Sequence, residues 1–161
     1  MNPSCKAIMM VGIQGAGKSY FTEEFAKKFN YTHLCNDELP NFKEALNVTI
    51  AKQRNLIIDK MNLQISSRIE LTTLLKANNY EVQCYYIPCL PSRAIENLDK
   101  REKEDLEKVT KSKERKKIKE KYLNIKRLIT KEVGELEPPT LGEEFSQVHY
   151  ISNNKIVYSI S

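Results

Sequence analysis

Gly12-Ile13-Gln14-Gly15-Ala16-Gly17-Lys18-Ser19 fits the pattern G-x-x-x-x-G-K-[ST], and each fixed position has a chemical reason. The glycines let backbone N–H groups curl around phosphate oxygens, and the following helix turns its positive N-terminal end toward the same anion. Lys18 is expected to reach the β- and γ-phosphates of a nucleoside triphosphate, and the Ser19 hydroxyl to ligate Mg²⁺. Tyr20, next along, closes the stretch expected to touch the nucleotide.

Phosphoryl transfer also asks for carboxylates and a mobile cation. An acceptor hydroxyl is oriented and deprotonated by a carboxylate, a contribution of roughly 10²- to 10⁴-fold. Asp37, in Cys35-Asn36-Asp37-Glu38, is the candidate base; the alternative is that Asp37 or Asn36 caps the next helix, as Pro40 allows. Asp59 ends the apolar run Leu56-Ile57-Ile58, where a carboxylate helps hold Mg²⁺ or positions the acceptor, unless it too is a helix cap. Arg101 is the candidate cation over the transferring phosphate, with Arg93 in reserve and Lys100, or no lid cation, as the remaining readings; Arg93 and Arg101 are about two helical turns apart and share a side.

These residues sit in alternating strands and helices. Ala7 to Val11, Tyr31 to Cys35, Leu56 to Asp59 and Val82 to Ile87 read as strands. Phe21, Phe25, Ala26 and Phe29 recur at helical spacing, as do Phe42, Ala45, Leu46, Thr49 and Ile50. Ile69, Leu71, Leu74 and Leu75 form a third stripe between Ser66 and Asn78. A helix begun near Pro91 runs into a charged segment, and Ile118, Tyr122, Ile125 and Ile129 share one face beyond it. After Pro138-Pro139, Gln147 to Ile151 and Lys155 to Ile160 make two short strands joined at Asn153-Asn154. The expected fold is α/β: a P-loop NTPase-type parallel sheet sandwiched between helices, with active residues at the carboxyl ends of the strands. One domain over residues 1–161 is expected, with a helical lid roughly over 91–121.

Of the net charge of +5, four units lie between Asp99 and Lys121, which holds eleven basic and seven acidic side chains. Asp99 with Lys103, Glu104 with Lys108 and Glu107 with Lys111 have the order that supports an exposed helix. The segment is either a solvated helix or a surface for a polyanion. Cys5, Cys35, Cys84 and Cys89 include no C-x-x-C pair and read as reduced thiols of an intracellular protein, cytoplasmic or nuclear. No apolar run approaches the roughly 18 residues of a membrane helix, so no membrane partner is expected.

Asp59-Lys60-Met61-Asn62 followed by Arg68 resembles the D-x-x-N-x-x-x-x-x-R signature of P-loop kinases in the polynucleotide 5′-hydroxyl kinase group, phage-type polynucleotide kinase among them. His33-Leu34-Cys35-Asn36-Asp37 is similar to the H-x-x-N-D segment of the kinase domains of fungal-type tRNA ligases. Asn97 to Arg101 has the spacing of that group's lid pair, and Pro138-Pro139 to Glu143-Glu144-Phe145 is similar to its P-P-x-x-x-E-G-F segment. Pro40 stands where several of these kinases have an arginine, Asn97 replaces the first basic lid residue, and Glu144 replaces the glycine.

The resemblance implies an Mg²⁺-dependent kinase moving the γ-phosphate of ATP or GTP to the 5′-hydroxyl of RNA or DNA, alone or beside separate ligase or phosphatase components. Asp37, Asp59, Asn62 and Arg68 form the implied acceptor set, Arg68 either holding an acceptor phosphate or bracing Asp59. A small-molecule or nucleoside monophosphate kinase, and a kinase-like module that binds without turnover, are the other readings.

Overall fold

The computed structural model describes residues 2–36 and 39–161. Its sheet runs in the order β2-β3-β1-β4-β5-β6, with β1 Cys5–Val11, β2 Thr32–Cys35, β3 Leu56–Asp59, β4 Tyr80–Tyr86, β5 Gln147–Ser152 and β6 Lys155–Ile160. The first five are parallel, and β6 returns antiparallel on β5. Asn153 and Asn154 make that return with φ of 49° and 61°, the paired positive values of a type I′ hairpin turn.

Because side chains alternate across a strand, β1 feeds two cores. Cys5, Ala7, Met9 and Val11 face one side, packed with α2 (Phe42–Ala51) and α3 (Ile65–Ala77). Ile8 and Met10 face the other, under Phe21, Phe25 and Ala26 of α1 (Lys18–Phe29). Phe29, expected in that row, is half exposed and lies tilted by 44° against the Phe25 ring, centroids 4.5 Å apart. All four cysteines are free of disulfides, and among the described residues no helix is long and apolar enough to cross a membrane.

The stripe expected on α3 holds for Leu71 and Leu75, which pack in the core, and fails for Ile69 and Leu74. Leu75 is fully buried, but Ile69 and Leu74 are 44% and 38% exposed, and Arg68 and Thr72 occupy the inward face instead. Arg68 is 0% exposed. Its Nε and Nη2 donate to the two carboxylate oxygens of Glu143 at 2.6 and 2.9 Å, and Nη1 donates to the carbonyls of Asn62 and Leu63 at 2.8 and 2.9 Å. A charge tolerates such burial only when forked to a partner with its remaining donors used. Glu143 lies in the short 3₁₀ turn Leu141–Glu143, which Thr140 and Glu143 cap reciprocally.

The charged segment is two helices rather than one arm. α4 (Pro91–Glu107) and α5 (Ser112–Glu135) pack as a hairpin around Ala94, Leu98, Tyr122 and Ile129. Of the expected acid–base pairs, Asp99 is taken across the hairpin by Lys126, which also donates to Glu102, at 2.6 and 2.7 Å, and Lys108 pairs with Asp105 at 3.4 Å; the Tyr122 hydroxyl donates to Asp105 at 2.6 Å. Burial and the Asp105 carboxylate push the Tyr122 phenol up to about 12. Arg115 closes the end of α4, donating to the carbonyls of Leu106 and Val109 at 2.6 and 3.1 Å.

Removing one member of the Arg68–Glu143 pair strands a buried charge. Arg68→Met should therefore lower unfolding free energy by about 3–5 kcal/mol in urea titrations. The double variant Arg68→Met/Glu143→Leu should recover most of that loss, and an equally unstable double variant would contradict the assignment.

Candidate active site

The glycine-rich loop lies between β1 and α1, and its shape depends on α4. Gly15 has φ of +77°, and a Cβ there would stand 2.5 Å from the Ala94 carbonyl oxygen. Any side chain at Gly15 would thus push the loop off the helix. Gly17, with φ of +100°, sits in left-handed space that glycine enters without strain and directly precedes α1.

Lys18, Ser19, Asp59 and Asn62 line one cavity of about 480 Å³ together with Arg101 and Lys121. At its floor the Ser19 hydroxyl donates to Asp59 Oδ2 at 3.0 Å. Thr22 Oγ1 and His33 Nε2 reach the same oxygen at 3.1 and 2.9 Å. A carboxylate only accepts, so the His33 bond requires the proton on Nε2. Asp59 is 4% exposed. Burial pushes its carboxyl up, but hydrogen bonds from His33 and Ser19 and the charges of His33 and Lys18 outweigh it and hold the group below the usual carboxylate range.

Neighbouring ligands of an octahedral Mg²⁺ are about 3 Å apart, and the 3.0 Å Ser19–Asp59 pair supplies two hard oxygens at that spacing. The residues fit this ion. His33, Cys35 and Asp59 also bring donor atoms within 4.8 Å of one another, but two of these are nitrogen and sulfur, which magnesium disfavours.

The other expected residues divide. Asn62 is at the cavity wall with φ of 49°, and its amide nitrogen donates to the Met10 carbonyl at 2.7 Å, tying the turn after β3 to β1. Arg68 is not brought to the cavity and does not brace Asp59; its guanidinium is consumed by Glu143 and the turn carbonyls, so the acceptor role expected for it has no exposed donor group to act through. Asp37 lies outside the described residues. The capping alternative for Asn36 or Asp37 is taken by Asn41, whose side chain accepts from Glu44 N at 3.2 Å. Asp59 caps no helix either, since α3 begins after Gln64.

Arg101 lines the first cavity and also a second of about 700 Å³ on the far side of the loop, where Tyr20, Arg93 and Lys100 contribute. Arg93 meets only the second and pairs with Glu96 at 3.3 Å. Lys18 Nζ donates to the Ile13 carbonyl at 2.7 Å.

Sequence reasoning names Asn97 only as a departure at the lid pair, and misses Glu132 and Thr22. Asn97 donates to the Gly15 carbonyl at 2.7 Å. Glu132, 4% exposed, accepts from the backbone and side-chain nitrogens of Gln14. Thr22, fully buried, joins the Asp59 cluster. Glu132 is legible in principle, as a lone charge continuing the Tyr122–Ile125–Ile129 face.

The fold is one that solved kinases share, and in it the glycine-rich loop and a strand-end carboxylate meet at one cavity. No family model matches the chain. Over 77 residues, 46% of the chain, it is 32% identical to "Putative bifunctional polynucleotide phosphatase/kinase" of Acanthamoeba polyphaga mimivirus, and the match takes in 18% of that protein. The chain thus spans less than a fifth of that relative's length. A fungal RNA kinase crystal structure shares its fold with a TM-score of 0.67 at 10% identity, over 94% of this chain and 77% of that one. A gluconokinase from Sinorhizobium meliloti 1021 does so with a TM-score of 0.57 at 14% identity, over 92% and 83%.

Lys18→Ala should weaken nucleoside triphosphate binding roughly tenfold or more while leaving the unfolding midpoint nearly unchanged, because the ammonium serves the cavity and not a core. Calorimetric titration beside a thermal melt checks both. Asp59, with its depressed folded value, contributes fully above the ordinary carboxylate range of about 4 and loses that contribution only as pH falls through the lower folded value. Between about pH 8 and pH 5, this carboxylate should therefore cause no loss of binding.

Proposed function

We propose that the chain transfers the γ-phosphate of a nucleoside triphosphate, ATP or GTP, to the 5′-hydroxyl of a polynucleotide. The observation that carries this reading is the meeting of Lys18, Ser19 and Asp59 in one cavity, with Ser19 and Asp59 3.0 Å apart. The polynucleotide acceptor is supported by the 32% identical segment shared with the mimivirus protein and by the likeness of fold to the fungal RNA kinase. Lys113, Lys116 and Lys117, exposed on α5, add a basic surface for a phosphate backbone.

In this reading the loop N–H groups and Lys18 hold the β- and γ-phosphates. Ser19 and Asp59 hold Mg²⁺, which when bound neutralises charge on the phosphate oxygens. The acceptor 5′-oxygen forms the new bond to the γ-phosphorus as the bridge to the β-phosphate breaks, and its proton passes to Asp37, the residue after cavity-lining Asn36. Arg101, at the wall of both cavities, neutralises charge on the transferring group. Asn62 orients the turn beside the acceptor.

The test is label transfer. Incubation with γ-labelled ATP or GTP and 5′-hydroxyl RNA or DNA should put label on the oligomer, and Asp37→Asn should slow transfer by roughly 10²-fold or more with little change in stability. Label passing only to a mononucleotide or sugar would overturn the polynucleotide reading. Neutralising Lys113, Lys116 and Lys117 together should weaken oligomer binding and flatten its salt dependence, by about 0.7 in log–log slope for each strand phosphate that the variant no longer neutralises.

A further inference from the structure

The loop that holds phosphate is itself held from behind by two side chains of the helical hairpin. In a trans peptide, the carbonyl of one residue and the N–H of the next point in opposite directions. Glu132 takes the N–H of Gln14 at 3.1 Å, which turns the Ile13 carbonyl the other way. That carbonyl accepts Lys18 Nζ at 2.7 Å and the Ala16 N–H at 3.3 Å. Two peptides further on the sense is reversed: Asn97 takes the Gly15 carbonyl at 2.7 Å, so the Ala16 N–H of that plane points the other way, onto the Ile13 carbonyl.

We propose that Glu132 and Asn97 are positioning residues for the phosphate site, pinning the Ile13–Gln14 and Gly15–Ala16 peptide planes from outside so that the curl of the loop and the place of Lys18 on the Ile13 carbonyl are set before nucleotide arrives. Neither lines the first cavity with Lys18; Asn97 lines the second, where its amide is given to the Gly15 carbonyl. Glu132 is a carboxylate kept at 4% exposure with both oxygens given to Gln14, a desolvation cost that its bonds to the loop offset. Preorganised donors bind an anion more tightly than donors that must first be ordered. This inference rests on the phosphate-site reading but not on the identity of the acceptor.

The experiment is calorimetric titration of ATP and GTP with Mg²⁺ into the whole chain as wild type, Glu132→Ala, Glu132→Gln and Asn97→Ala, with amide exchange at Gln14 measured in the nucleotide-free proteins. Glu132→Ala should weaken binding by roughly tenfold or more and speed Gln14 exchange, without changing the acceptor KM. Glu132→Gln should restore most of the affinity, because its amide oxygen still accepts from Gln14 N and the Gln14 amide can turn to pair with its nitrogen. Asn97→Ala should act in the same direction as Glu132→Ala. Wild-type affinity and exchange in Glu132→Ala would overturn the inference, as would a Glu132→Gln protein as weak as the alanine variant. Should Glu132→Ala fail to fold, an unaltered affinity in Asn97→Ala overturns it. A wild-type protein that binds neither nucleotide would instead remove the phosphate-site reading itself.

Discussion

The buried fork between Arg68 and Glu143 governs the geometry of the site although neither residue reaches it. By donating to the Asn62 and Leu63 carbonyls, Arg68 fixes the turn that leaves β3. Asn62, in left-handed backbone, then ties that turn to β1 through the Met10 carbonyl, and Gly12 N closes on the Met61 carbonyl at 3.0 Å. The start of the phosphate loop and the residues after Asp59 are thereby one hydrogen-bonded unit. The six-residue interval from Asn62 to Arg68 is what lets the guanidinium curl back to its own turn from the first turns of α3. Glu144, which follows Glu143, holds φ of 69° in the left-handed region, the conformation for which glycine is the usual choice.

Upon this frame the electrostatics of the cavity are set by short contacts. Ser19, Thr22 and His33 converge on one oxygen of Asp59, which keeps the carboxylate ionised despite its burial. From the other side, the hairpin of α4 and α5 presses its backbone against Gly15 and supplies Asn97 and Glu132 to the loop. A lid that merely hovered over the site would make no such bonds. Here the segment carrying Arg101 is tied to the loop through Asn97, one helical turn before it.

Local chemistry makes much of this legible. The loop, the end of β3, the break at Pro138-Pro139 and the Asn153-Asn154 turn all follow from residues close in sequence, and each stands where its own sequence puts it. What is not legible depends on partners far along the chain. Arg68 reads as a site cation until Glu143, 75 residues later, is seen to neutralise it; for the same reason Ile69 and Leu74 read as the inward face of α3. Asp99 reads as the partner of a neighbour on its own helix, whereas Lys126 of α5 takes it. Glu132 escapes notice because periodicity counts apolar residues and passes over a charge that continues their face.

If the chain is a kinase, Ser19 and Asp59 must form one metal–phosphate centre with the loop. The most direct measurement is the dependence of nucleoside triphosphate affinity on Mg²⁺ in the wild type and in Asp59→Asn. Wild-type affinity should rise with added Mg²⁺, and in Asp59→Asn this rise should be largely lost while metal-free binding through the loop and Lys18 persists. An Mg²⁺ dependence unchanged by Asp59→Asn would contradict this assignment.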